Sequence, residues 1–275
     1  MYTPAFHYDS ADDCYIGGQF WDGRVNSLEE QAVKPFFNPL EMNITNLSMF
    51  ISKMKGADFY SEFIKIYGES NDEQKILNNV GDAIAAFERS AEVNPFTSKY
   101  DAYLKKTDTL TTLEARGLKV FNGVGKCYQC HLTSPESKSA KVLFTDFKYH
   151  NIGVPRNPGN PFYKMATSIN PAGEAFQDLG LGGQMKLQTQ NGKFKCSTLR
   201  NVAITSPYFH NGVYKTLEEV IHFYNSRDVD PSIDKPEVNE NLTTDNVGNL
   251  KLSLGDEAAL VAFMKTLTDG YKASK

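Results

Sequence analysis

A chain of 275 residues and 30.7 kDa can hold one large domain or two ordinary ones with a real core, which excludes a small disulfide scaffold. Hydrophobic residues at 40%, charged residues at 23% and a mean hydropathy of −0.43 describe a soluble globular chain rather than a disordered or membrane-spanning one. Twenty-nine Lys and Arg against thirty-three Asp and Glu leave a net charge of −4, so neither nucleic acid nor anionic lipid is an expected partner.

In chain order, Met1-Tyr2-Thr3-Pro4-Ala5-Phe6-His7 has no basic or apolar stretch of the kind that opens a secretory signal. Ser27-Leu28-Glu29-Glu30 has the form of a capping box, and helices are expected over 47–55, 58–67 and 73–91. Lys105-Lys106-Thr107-Asp108 separates two helical blocks, which divides the chain into 1–107 and 108–275. Thr111 to Glu114 opens the next helix with a second capping box. From His150 to Gly183 four prolines and six glycines predict a long loop, and Phe162, Tyr163, Phe176, Leu179 and Leu181 predict that it wraps something. Thr216 to Glu219 is a third capping box, followed by Leu217, Val220, Ile221 and Tyr224 on one helical stripe. A last stripe runs through Leu260, Phe263, Met264 and Leu267. No internal repeat and no run of eighteen apolar residues occurs, and alternating strand patterns are scarce, so the fold class is mainly α with long connections.

Four cysteines stand at 14, 127, 130 and 196, and Cys127-Tyr128-Gln129-Cys130-His131 has roughly one chance in a thousand of arising at random from this composition. Two thiols at this spacing reach the two vinyl groups of one porphyrin, and the following histidine coordinates its iron, so the motif reads as c-type haem attachment. A zinc site would want two further ligands, and a redox dithiol would leave His131 unexplained. Gly117 and Phe121 lie four apart on the helix before the motif, where a glycine permits close crossing by a helix over 256–268. The sixth iron position has seven candidates: Met165, Met185, Tyr224, Met264, His150, His210 and His222. Cys14 and Cys196 read as unpaired structural thiols, and His7, His150 and His222 as structural or surface residues.

The sequence resembles the bacterial di-haem cytochrome c peroxidase family, with its MauG-type relatives that oxidise a partner protein. Gly17-Gly18-Gln19-Phe20-Trp21-Asp22-Gly23-Arg24, Leu28-Glu29-Glu30-Gln31-Ala32, Asn38-Pro39-Leu40-Glu41-Met42, Ala85-Ala86-Phe87-Glu88-Arg89, the haem motif, Thr198-Leu199-Arg200-Asn201-Val202 and Pro207-Tyr208-Phe209-His210-Asn211-Gly212 carry it. The resemblance implies two cytochrome c-like haem domains. It makes Trp21 the relay between two haems, and Gln31, Pro35 and Glu41 the lining of the peroxide face, with Glu41 as acid-base group. Cleaving a peroxide O–O bond needs a proton taken from one oxygen and delivered to the other, which suits a carboxylate. It makes the backbone carbonyls of Thr205 and Pro207 calcium ligands, an oxygen pair suited to a hard ion. Counting fourteen residues on from His210 puts Tyr224 at the sixth position of the second haem, where peroxidases of the family place methionine and MauG-type members tyrosine.

Family members carry two Cys-x-x-Cys-His motifs, and these 275 residues hold one. On the resemblance, the first haem's attachment residues lie upstream of Met1, so the first haem domain, 1–107, is incomplete and the chain reads as N-terminally truncated. The second, 108–275, holds one covalent haem. The implied protein is periplasmic and reduces hydrogen peroxide to water. Its electrons come from a small cytochrome or copper protein, and homodimer assembly is left open. MauG-type protein oxidation and a single-haem electron carrier are the alternatives.

Overall fold

Helix signals in the sequence become ten helices among the residues that the computed structural model describes, 2–134 and 141–272, with four short strands. None of those helices is long and apolar enough to cross a membrane. The chain folds as two compact units. One takes residues up to His7 and Gly17–Pro95, the other Tyr8–Ile16 and Phe96–Lys275.

In the first unit, helices α1 (Leu28–Ala32) and α2 (Lys34–Phe37) precede α3 (Leu47–Lys55), α4 (Tyr60–Tyr67) and α5 (Glu73–Glu88). Ser27 caps α1 by accepting from the Glu30 N–H at 3.2 Å, but the Glu30 carboxylate turns to the Asn26 N–H at 3.4 Å, so the capping box closes on one side only. Asn46 and Asp72 cap α3 and α5 with their side chains at 2.8 and 3.1 Å. Phe50, Ile51 and Met54 of α3 and Ile76, Leu77 and Val80 of α5 form the core with Phe63 and Ile44. Directly after Val80 in α5 comes Gly81, where a Cβ would stand 2.6 Å from the Glu29 carbonyl, so the two backbones approach as only glycine allows. Helix α5 stops at Glu88 rather than at 91. The Ser90 N–H bonds back three residues to Phe87, and the Asn94 side chain takes the Glu88 carbonyl, which closes the helix.

The second unit begins with the hairpin β1 (His7–Asp9) and β2 (Cys14–Ile16), followed by α6 (Lys99–Leu104), α7 (Thr112–Phe121), β3 (Tyr149–His150), α8 (Leu181–Met185), β4 (Phe194–Lys195), α9 (Leu217–Ser226) and α10 (Leu254–Lys265). Strands β3 and β4 pair antiparallel, with Tyr149 opposite Lys195 and His150 opposite Phe194. Thr111, Thr216 and Ser253 cap α7, α9 and α10 with complete capping boxes. Helices α7 and α10 cross at Gly117, where a Cβ would come within 2.7 Å of the Phe263 Cβ. Around that crossing pack Tyr100, Phe121, Phe144 and Phe263, with ring centroids 5.2–6.3 Å apart. Each buried phenylalanine there stabilises the unit by about 1.5–3 kcal/mol relative to exposure.

The division between units falls at Pro95, not at 107. Helix α6 belongs to the second unit because Tyr100 is in its core and Asp101 receives both Arg200 nitrogens, at 2.8 and 2.9 Å. The segment 150–183 is largely irregular, as its prolines and glycines require, with two 3₁₀ turns. Its last residues start α8, whose Leu181 is fully buried. Arg156 orders this segment: it stacks on Tyr163 at 3.8 Å and donates to the Phe176 carbonyl at 2.9 Å.

Candidate haem site

Beyond α7 the chain turns through Gly125 and a left-handed Lys126, φ +55°, into a 3₁₀ turn over Cys127–Gln129. The Cys127 carbonyl accepts from the N–H groups of Cys130 at 3.3 Å and His131 at 2.9 Å, so one tight turn carries both thiols and the imidazole. The Lys126 ammonium ties this turn to the Asp245 carbonyl at 2.5 Å. Burial pushes the Cys127 thiol up to about 12, and its S–H donates to the Gly125 carbonyl at 3.3 Å.

His131 Nδ1 lies 2.8 Å from the Phe144 carbonyl. A carbonyl can only accept, so Nδ1 carries the proton. Burial pulls the imidazole below its ordinary pKa, so it is neutral and Nε2 keeps a free lone pair. The carbonyl reaches this position because Phe144, buried among the aromatic rings, adopts a left-handed backbone with φ +55°. That conformation is uncommon for a bulky residue and costs of order 1–3 kcal/mol. Here it sets the tautomer of a histidine.

Tyr224 lies on the stripe of α9, two turns beyond Leu217. Its phenol is held well above its ordinary pKa by burial and then by the Cys196, Cys130 and Cys127 thiols around it. Met264 instead points into the apolar core, and His222 bridges Asp230 and Glu257 at 2.9 and 3.2 Å. His210 stacks on Phe194 at 3.6 Å with the rings 7° from parallel, and burial pushes it down to about 4. Its Nε2 is buried without a hydrogen-bond partner. So is Asn246 Oδ1, whose own amide nitrogen lies 3.9 Å from Cys130 Sγ. Two thiols on one turn, a neutral imidazole with Nε2 unprotonated, a partly buried tyrosine and two unmatched polar atoms are a donor set that fits a covalently attached haem.

Residues that the sequence set aside also come to this place. His150 bonds Asp146 at 3.0 Å, and these two with Cys130 bring ligand atoms within 4.8 Å of one another. Burial opposes charge on His150, but Asp146 and Cys130 outweigh it and push its pKa up to about 10. Cys196, read as an unpaired structural thiol, is unpaired and packs against His131. Phe144 and Asn246 carried no signal, since one contributes a carbonyl and the other a buried amide. For His150 the opposed register of β3 and β4, which sets it beside Phe194, supplies the signal, but two-residue strands are too short to read from sequence.

In the first unit, Gln31 lies in the last turn of α1 and Pro35 in the first turn of α2. The loop that carries Glu41 is tied back to Pro35 by the Met42 N–H to Pro35 carbonyl bond at 3.2 Å. Asn38 Nδ2 donates to Glu41 Oε1 at 2.6 Å, and Asn38 Oδ1 accepts from the Leu40 N–H at 3.0 Å. Trp21 lies on a separate loop, closed by pairing of Gln19 with Val25, and is 44% exposed. In the second unit Thr205 and Pro207 flank an exposed turn after the 3₁₀ residues Val202–Ile204. Among the described residues neither carbonyl accepts a hydrogen bond, which leaves both open to a hard cation.

Comparison with known proteins bears on this donor set. Residues 3–109 match the family described as di-haem cytochrome c peroxidase. The methylamine utilization protein MauG of Paracoccus denitrificans is 36% identical over 97% of this chain and 71% of that protein. The cytochrome c551 peroxidase of Nitrosomonas europaea is 30% identical over 91% of this chain and 61% of that protein. Among solved structures, the dihaem peroxidase BthA of Burkholderia thailandensis superposes with a TM-score of 0.83 at 33% identity, covering 98% of this chain and 70% of that one. With that coverage and identity, and with the haem-attachment turn in place, the chain belongs to the di-haem cytochrome c peroxidase family, which includes MauG.

Proposed function

We propose that this oxidoreductase reduces hydrogen peroxide to two waters, drawing electrons from a small cytochrome or copper protein. The observation that carries the reading is the His131 contact that commits Nδ1 to the Phe144 carbonyl and leaves Nε2 as the unprotonated nitrogen, on the turn that also presents Cys127 and Cys130. The haem, when bound there, supplies one-electron oxidation and reduction. What the chain adds is placement. Cys127 and Cys130 would hold the group covalently, His131 would ligate its iron, and Tyr224 of α9 is the candidate second ligand. Because covalent attachment takes place outside the cytoplasm, the reading places the protein in the periplasm.

On the peroxide side, Asn38 occupies Glu41 Oε1 and leaves Oε2 to take a proton from one peroxide oxygen and return it to the other. Gln31 and Pro35 shape that face, and Trp21 relays electrons between the two haems of the family pattern. The open carbonyls of Thr205 and Pro207 serve a calcium ion. Tyr224, where a methionine marks the peroxidases, favours a second reading, MauG-type oxidation of a protein substrate.

Peroxide-dependent oxidation of a reduced small cytochrome by the haem-loaded protein tests the first reading. The rate falls on Glu41→Gln by about 10²–10⁴. A rate indifferent to that substitution leaves an electron carrier, and peroxide-dependent change in a partner protein without cytochrome oxidation supports the second reading.

A further inference from the structure

Cys196 is buried, forms no disulfide and has no place in the roles assigned above. Its backbone is pinned on both sides: the N–H donates to the Lys148 carbonyl at 2.8 Å, and the carbonyl accepts from Thr145 Oγ1 at 2.6 Å. These contacts come from the segment that holds Phe144. One piece of backbone therefore sets both the acceptor of the His131 proton and the position of the sulfur.

Cys196 Sγ stands 3.5 Å from His131 Nδ1 and 3.8 Å from Nε2. A sulfur almost equidistant from the two ring nitrogens at van der Waals separation lies over the imidazole face, because in the ring plane it would collide with the carbon between them. It is thus off the direction of the Nε2 lone pair. The Phe144 hydrogen bond fixes where the imidazole points but leaves it able to turn about that direction. Bulk against one face removes that freedom. The thiol suits the task because it competes weakly for protons, and the Cys130 carbonyl lies 3.5 Å away to take its own.

We propose that Cys196 is a positioning residue whose bulk fixes the rotation of the His131 imidazole plane, and through it the orientation of the axial ligand against the haem. The proposal rests on the reading that His131 ligates haem. It is tested on the full chain loaded by cytochrome c maturation, with a pyridine haemochrome to establish attachment and ferric EPR as readout. Absence of covalent haem removes the haem reading, and an EPR spectrum unaltered by His131→Ala removes His131 as its ligand; either result removes this proposal.

With attachment established, Cys196→Ala shifts and broadens the largest g value, while Cys196→Val, which fills the same side of the ring without a thiol, keeps the original signal. Cys196→Ser, with a shorter reach, moves the g value in the same direction by less, and serves where the alanine chain does not accumulate. An alanine or serine spectrum identical to the parent, or a valine spectrum displaced as far as alanine, overturns the proposal while leaving the haem reading intact.

Discussion

In each unit, the candidate site residues are held by neighbours in their own unit. His131 leans on a carbonyl, Tyr224 on the apolar stripe of its helix, and Glu41 on Asn38. Tyr224→Phe keeps the packing and removes the oxygen. It is expected to change the oxidised absorption spectrum of the haem while leaving the pyridine haemochrome yield unaltered. Asn38→Ala frees Glu41 Oε1, and loss of one charge-assisted hydrogen bond is expected to cost about 1.5–3 kcal/mol in urea unfolding and to lower peroxide turnover in the cytochrome oxidation assay. Spacing alone singled out Cys127, Cys130 and His131 as a group, and the structure brings the three onto one tight turn. Phe144, Asn246 and Cys196 were not legible. A backbone carbonyl, a buried amide and a thiol serve through position, and position comes from segments far apart in sequence.

Among the elements, those with a cap at one end and an apolar stripe between were readable in advance. Helix α3 occupies the expected 47–55, and α7 and α9 start at their expected capping boxes. Helices α2 and α6, four and six residues long, escaped because fewer than two turns hold no period to detect. The Gly117 crossing admits a direct test. Gly117→Ala would raise helix propensity in isolation by about 0.8–1 kcal/mol. Here its methyl meets α10, so overpacking reverses the sign, and a net loss of about 1–3 kcal/mol is expected in urea unfolding. Thr216→Ala removes the cap of α9 and is expected to cost about 0.5–2 kcal/mol by the same measurement.

For the whole molecule, the Arg200 and Asp101 pair sets the acid limit. Both side chains are 9% exposed. Burial raises the Asp101 pKa, but the Arg200 and Ser98 hydrogen bonds outweigh it and hold it below the ordinary carboxylate value. A depressed carboxylate contributes stability that is complete above its unfolded pKa and fades as pH falls through the folded one. At pH 7, Asp101→Asn leaves Arg200 without its counter-charge and is expected to cost about 3–5 kcal/mol. Below about pH 4 the gap to the parent closes, and urea midpoints at pH 7 and pH 3 read both. The division at Pro95 was not legible, because Lys105-Lys106 has the composition of a linker while Tyr100 and Asp101 commit the preceding helix to one side. A different consequence belongs to the β1–β2 hairpin, whose residues Tyr8–Ile16 complete a unit that otherwise starts at Phe96. The chain therefore passes from one unit to the other three times, and no single cut makes a clean separation. A fragment starting at Phe96 leaves Lys148 without the Asp12 carboxylate, 2.5 Å away, and without the strand that ends at Ile16. Expressed together, 1–95 and 96–275 should reassociate through that hairpin, which works as a peptide ligand built into the beginning of the same chain.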